Sequence, residues 1–292
     1  MAAKKEVAKK AEAGLPAALL EELEIAGAER EVMGKDDMSI PFLQILQSLS
    51  PQCTKGEPEF IKGAEASMLF NTVTKDMFPT YDEDDNSLPG AHVISIAYKP
   101  SFIEWVPRAQ GGGFVNEYDV AVGSTIITQR NDTNQDIIQP GSPVGTPGNQ
   151  LAYTHTHFVF VVDKATGRIK PAVMSMTSTQ VKPSKTWNAL INETELPSGK
   201  PAPRFFGVWA VSTQRRSNDH GTWYVWDFTR DGSIIDLGDA AGAVMAEAKK
   251  FATGIDEGEV SADHAKAAAA ENPTVDPGKD AGGEEGDEEI PF

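Results

Sequence analysis

The chain has one cysteine, Cys53, in 292 residues. That excludes an internal disulfide framework and any cysteine-clustered zinc or iron–sulfur site, and it fits a reducing compartment. No window approaches the ~20 apolar residues that a membrane span needs, and the basic opening MAAKKEVAKKAEAG is followed by no long apolar stretch. The expectation is a soluble protein of the cytoplasm. Positive charge is also scarce, with 26 Lys and Arg against 43 Asp and Glu and a formal net charge of −17. Taken whole, that argues against a polyanionic ligand.

The deficit is uneven. Residues 254–292 hold twelve acidic and two basic side chains, a net of −10, and the first 85 residues are at −8. Residues 151–235 hold six acidic and ten basic side chains, a net of +4. A polyanion responds to the local field, so the basic middle keeps nucleic acid open as a ligand.

The spacing of apolar residues divides the chain into a mobile or partly helical extension over 1–35, a folded domain over 36–253 and a tail over 254–292. Leu43, Leu46 and Leu49 suit one face of a short helix ended by Pro51. Residues 93–98 and 102–106 read as two strands parted by Lys99-Pro100-Ser101. Residues 128–150, with Asn, Gly and Pro throughout, read as a long loop. Residues 154–162 and 168–176 form a hairpin about Lys164-Ala165-Thr166-Gly167. Helical spacing returns over 178–193. Two more strands, 205–213 and 222–229, flank a polar turn, and an Ala-rich helix over 238–253 is stopped by Gly254. Beyond it, Ala, Gly, Pro, Asp and Glu dominate, a composition too poor in apolar surface to fold. The fold class expected is mainly β with a few helices, an OB-fold-like small β-barrel with insertions and a disordered acidic C-terminal tail.

Binding single strands takes cations for phosphates and aromatic faces for bases. Three clusters offer both: Lys182, Lys185 and Trp187 among Ser and Thr hydroxyls; Arg215 and Arg216 in a turn beside the aromatic strand that holds Trp223; and Lys99 with Trp105, near Tyr98 and Phe102. In residues 222–229, Tyr224, Trp226 and Phe228 share one face and Asp227 the other. The first face is therefore read as core, leaving Trp223 to stack. His155 and His157, two apart on one strand face, read as surface imidazoles without a third metal ligand. Asp82-Glu83-Asp84-Asp85 reads as a solvated loop, Gly111-Gly112-Gly113 as a flexible turn, and Cys53 as inert.

The last residues, Asp287-Glu288-Glu289-Ile290-Pro291-Phe292, place an apolar tripeptide straight after acids. This ending resembles that of bacterial single-stranded DNA-binding proteins. Residues 178–187, SerThrGln-x-Lys-x-SerLys-x-Trp, and the N-terminal third look more like the bacteriophage-encoded proteins of that kind. The resemblance implies a sequence-tolerant, non-enzymatic single-stranded DNA-binding protein. It would protect unwound DNA in replication and recombination in the host cytoplasm, without cofactor or metal. It would recruit replication or recombination proteins through Asp287, Glu288, Glu289, Ile290, Pro291 and Phe292. The alternatives are a recombination or annealing factor, a metal-dependent nuclease using Asp82 to Asp85, and a phage structural protein.

Overall fold

The computed structural model describes residues 40–265 apart from His220. The N-terminal extension and the acidic tip lie outside the described residues. A small antiparallel sheet comes first, of β1 (Leu43–Ile45), β2 (Leu69–Asn71) and β3 (Met77–Phe78). No helix forms over Leu43, Leu46 and Leu49: Leu43 is buried from β1 and Leu46 just after it, with Gln44 opposite Phe70, and Leu49 is exposed. Pro51 starts a short 3-10 turn, Pro51–Cys53, instead of ending a helix. A proline lacks only the donor that a first helical turn leaves unused.

The main sheet has eight antiparallel strands: β4 (Ala91–Trp105), β5 (Phe114–Asp119), β6 (Thr128–Arg130), β7 (Asp136–Ile138), β8 (Gln150–Val162), β9 (Ile169–Thr177), β10 (Gly207–Asn218) and β11 (Gly221–Ser233). They run in the order β11-β10-β4-β8-β7-β6, with β5 beside β4 and β9 beside β8. The helices are α1 (Val120–Gly123), α2 (Val181–Asn192) and α3 (Ala241–Asp256). None is long and apolar enough to cross a membrane among the described residues.

Lys99-Pro100-Ser101 does not divide β4, which passes through with a register shift between Ser95 and Ala97. Pro100 falls where β4 has β8 on one side only, after β10 stops pairing at Ile94 and before β5 starts at Ser101. A proline is tolerated at such a place. The hairpin of β8 and β9 forms as its alternation predicts. Residues 128–150 are not one loop. Strands β6 and β7 pair there, and the turn that follows is organised by one carboxylate. Buried Glu104 accepts from the Thr146 amide at 2.9 Å, Asn149 Nδ2 at 2.5 Å and the Tyr118 hydroxyl at 2.6 Å.

Burial alone would raise the Glu104 carboxyl. The hydrogen bonds from Tyr118, Asn149 and Thr146 outweigh it and hold the group below its ordinary value. A lowered folded-state value stabilises the fold above the unfolded pKa, about 4.3 for Glu, and that stabilisation fades as pH falls through the folded value. Glu104→Gln should therefore lower the urea midpoint at pH 7, and the gap from the parent should narrow once pH drops below about 4. A gap that stays constant down to acid pH would refute this role.

The sheet is covered on both faces, making three layers. On one, Ile94, Phe158, Phe160, Val173 and Val208 pack with Val244, Ala248 and Ile255 of α3. On the other, Val93, Val159, Met174, Trp209 and Val211 pack with Trp187 and Ile191 of α2 and with Leu43 and Leu69 of the small sheet. Helix α3 runs through Gly254 to Asp256, so the folded part reaches further than 253. His264 is buried beyond it, its ring 5.6 Å from that of Phe42.

The sheet curls, and a backbone bridge and two glutamine side chains link its two ends. Phe42 bridges Val173 of β9, and a few residues on Gln47 hydrogen-bonds both backbone groups of Tyr224 in β11 at 2.9 Å. Gln180, just after β9, accepts from the Trp226 amide at 3.1 Å and donates to the Tyr224 carbonyl at 2.9 Å. Two glutamine amides thus satisfy edge groups that a further strand would otherwise pair.

Candidate nucleic-acid interface

The eight residues expected to touch DNA divide between the two faces of the main sheet. Alternation along β10 and β11 is regular, so Arg215, opposite Tyr224, lies on the α2 face, and Arg216, opposite Trp223, on the other. Both are in strand β10, not in the turn where the sequence reading placed them. Lys182, Lys185 and Trp187 belong to α2. Lys99 is on the α3 side, where its Nζ donates to the Ile255 carbonyl at 3.4 Å. Trp105 shares that face and packs edge-on against Phe114, 5.9 Å between centroids.

Two of the expected stacking rings are core. Trp187 is 0% exposed, lies flat on Phe228 with centroids 4.0 Å apart, and meets Trp209 edge-on. Trp223 is 9% exposed, and Val225, Trp226 and Phe228 beside it are buried as well. The inference from Asp227 had one covered face of β11 in view, whereas here residues of both faces are buried. Exposure at Asp227 does not carry over to Trp223.

Helix α2 carries the arrangement that remains. Its start is tied to Tyr224 through Gln180. Ser184, fully buried, holds the helix to β8, with its Oγ 2.7 Å from His155 Nδ1 and 2.7 Å from His157 Nε2. A hydroxyl has one proton, so it donates to one ring and accepts from the other. Both histidines are buried, not on the surface, because α2 covers the strand face that carries them. Burial, then the Arg204 charge and His155, keep His157 well below its usual range, while burial and Lys185 lower His155. Both are neutral at pH 7, and charge on this face belongs to Lys182, Lys185, Arg204 and Arg215.

Arg204 donates to Asn188 Oδ1 of α2 at 2.7 Å and to Ser95 Oγ at 2.9 Å, its guanidinium 5.7 Å from the Tyr98 ring. Pairing of β4 with β8 sets Tyr98 opposite His157 and Phe102 opposite Tyr153. The result is a run of rings: Phe102 to Tyr153 at 4.9 Å, Tyr153 to His155 at 5.0 Å, His155 to Tyr98 at 5.3 Å. A second pair, Tyr81 and Tyr224, meets edge-on at 6.2 Å. Burial above all pushes the Tyr98 phenol up to about 12, so it remains a neutral donor. Sequence reasoning missed Tyr153, Arg204 and Tyr81. For Tyr153, the β4–β8 register was the missing signal.

Asp82 accepts at one oxygen from the Asp84 and Asn86 amides, at 2.9 and 2.8 Å, and the Asn86 side chain above all lowers its carboxyl. Among the described residues, no group of three or more His, Cys, Asp or Glu is placed to hold a metal ion. Gly111, Gly112 and Gly113 all have positive φ, which suits a turn that side chains resist. Burial and Glu65 push the Cys53 thiol up to about 11, which leaves little thiolate at neutral pH.

A family model described as Pam3 phage gp34-like protein matches residues 8–261. Comparison with curated proteins and with solved structures gives no match.

Proposed function

The chain belongs to the Pam3 phage gp34-like family, and from that premise we propose that it is a phage single-stranded DNA-binding protein with little base preference. In this reading it coats unwound DNA during replication and recombination and performs no turnover. The observation that carries the proposal is the α2 face, where Arg204 lies over the Tyr98 ring and Lys185 acts on His155 in the ring run with Tyr153 and Phe102, while Lys182 of α2 and Arg215 beside Tyr224 add positive charge on the same side of the sheet. Phosphates take the cations and bases take the rings. Strands β4, β8, β9, β10 and β11 curl around a shared core with α2 interposed between the third and fourth, which supports an OB-like reading of the barrel. The acidic ending over 287–292 is proposed to recruit partner proteins.

The decisive measurement is the anisotropy of a labelled oligothymidine and of a duplex of equal length at two salt concentrations. Tryptophan quenching is a poor substitute, since Trp187, Trp209, Trp223 and Trp226 are buried. The single strand should bind far more tightly, and its affinity should fall steeply with salt. Equal affinity for duplex, or binding indifferent to salt, would overturn the reading.

A further inference from the structure

The two ring pairs on the α2 face are not equivalent. Tyr81 leads directly into Asp82, Glu83, Asp84 and Asp85, all exposed, so phosphates are repelled at that end. Tyr153 has different surroundings. It is the first turn away from burial in its strand, 36% exposed where residues 154–160 are all buried. Phe60 is the one other aromatic side chain among the described residues to reach that exposure.

The ring of Tyr153 is also held. Phe102 supports it at 4.9 Å, and the edge of His155 meets it at 5.0 Å and 87°. His155 is itself fixed by Ser184, and Lys185 follows Ser184 in α2, exposed. A cation thus stands one residue along from the group that fixes the ring stack. A ring locked this way loses little conformational freedom when a flat ligand lies on it.

We propose that Tyr153 is a stacking station for one nucleobase of a single strand whose backbone passes Lys185, with Phe102 as the supporting ring behind it. This rests on the single-strand reading above and adds to it a place for one base. The ligand chemistry is a nucleotide: an unpaired flat base joined to a phosphate. Stacking is worth about 1–3 kcal/mol per base, or between about 5- and 150-fold in affinity.

The test uses the full chain and oligothymidine bearing a photoreactive 5-iodouracil, with the crosslinked residue mapped by mass spectrometry, alongside anisotropy titrations of Tyr153→Ala and Tyr153→Phe. The expected result is a crosslink on Tyr153, a loss of about 5-fold or more in Tyr153→Ala, and near-parent affinity in Tyr153→Phe, which keeps the ring. Tyr153→Phe keeps the contacts with Phe102 and His155 and should leave the urea midpoint near the parent's, whereas Tyr153→Ala gives them up and should lower it modestly while keeping the parent's circular dichroism under the binding conditions. A parent that binds oligothymidine while Tyr153→Ala binds equally well, with the crosslink elsewhere, overturns the station and leaves the single-strand reading standing. A parent that binds no oligonucleotide overturns both. Loss of capture of a purified partner protein in Tyr153→Ala, with DNA affinity unchanged, would assign the ring to a protein contact and overturn the proposal.

Discussion

Replacing Lys185 and Arg215 together with alanine is expected to weaken single-strand binding by about 10- to 100-fold at low salt. The slope of log affinity against log salt should flatten by about 1.4, the change for two lost phosphate contacts at about 0.7 each. The matched control is Lys99→Ala with Arg216→Ala. It removes the same formal charge, but from the face that α3 covers. That pair should move affinity far less, through the general field alone. All four side chains are exposed, so neither double variant should alter stability by more than about 0.5 kcal/mol per site. Anisotropy titrations at three or more salt concentrations give both quantities. Equal losses in the two double variants would mean that the strand does not follow the α2 face.

Trp187→Ala is expected to destabilise the fold by about 3–5 kcal/mol, the range for truncating a buried large aromatic. The ring is wholly buried and sandwiched among Phe228, Trp209 and His157. Its removal leaves a cavity under α2, which also bears Ser184 and the lysines. Domains of this kind have about 5–15 kcal/mol of stability in all, so the variant should be markedly easier to unfold in urea. Trp187→Phe, which keeps a flat ring against Phe228, should recover much of the loss and bind oligothymidine as the parent does. If Trp187→Ala unfolds at the parent's midpoint but binds DNA weakly, the ring is a contact and not a part of the core.

The two substitutions show how differently the sequence informs fold and site. Residues 154–162 alternate and residues 178–193 repeat with helical spacing, and these local patterns determined β8 and α2, because a strand or helix must put its apolar side chains on one side. The same rule put Arg215 and Arg216 on opposite faces, a division that one dipeptide between aromatic strands conceals until each side of the sheet is given a neighbour. Composition likewise marked the basic middle and the acidic end.

What alternation cannot supply is the identity of the layer that covers each face. Trp187 and the histidines at 155 and 157 are buried because α2 lies on β8, and Lys99 meets α3, which begins more than a hundred residues later. Pro100 in an unbroken β4 depends on which neighbours flank that strand, and the exposure of Tyr153 on the β4–β8 register and on where α2 stops covering β8. Local sequence determined which residues share a face. Tertiary packing decided which of them meet solvent, because burial is a property of two surfaces brought together from distant parts of the chain.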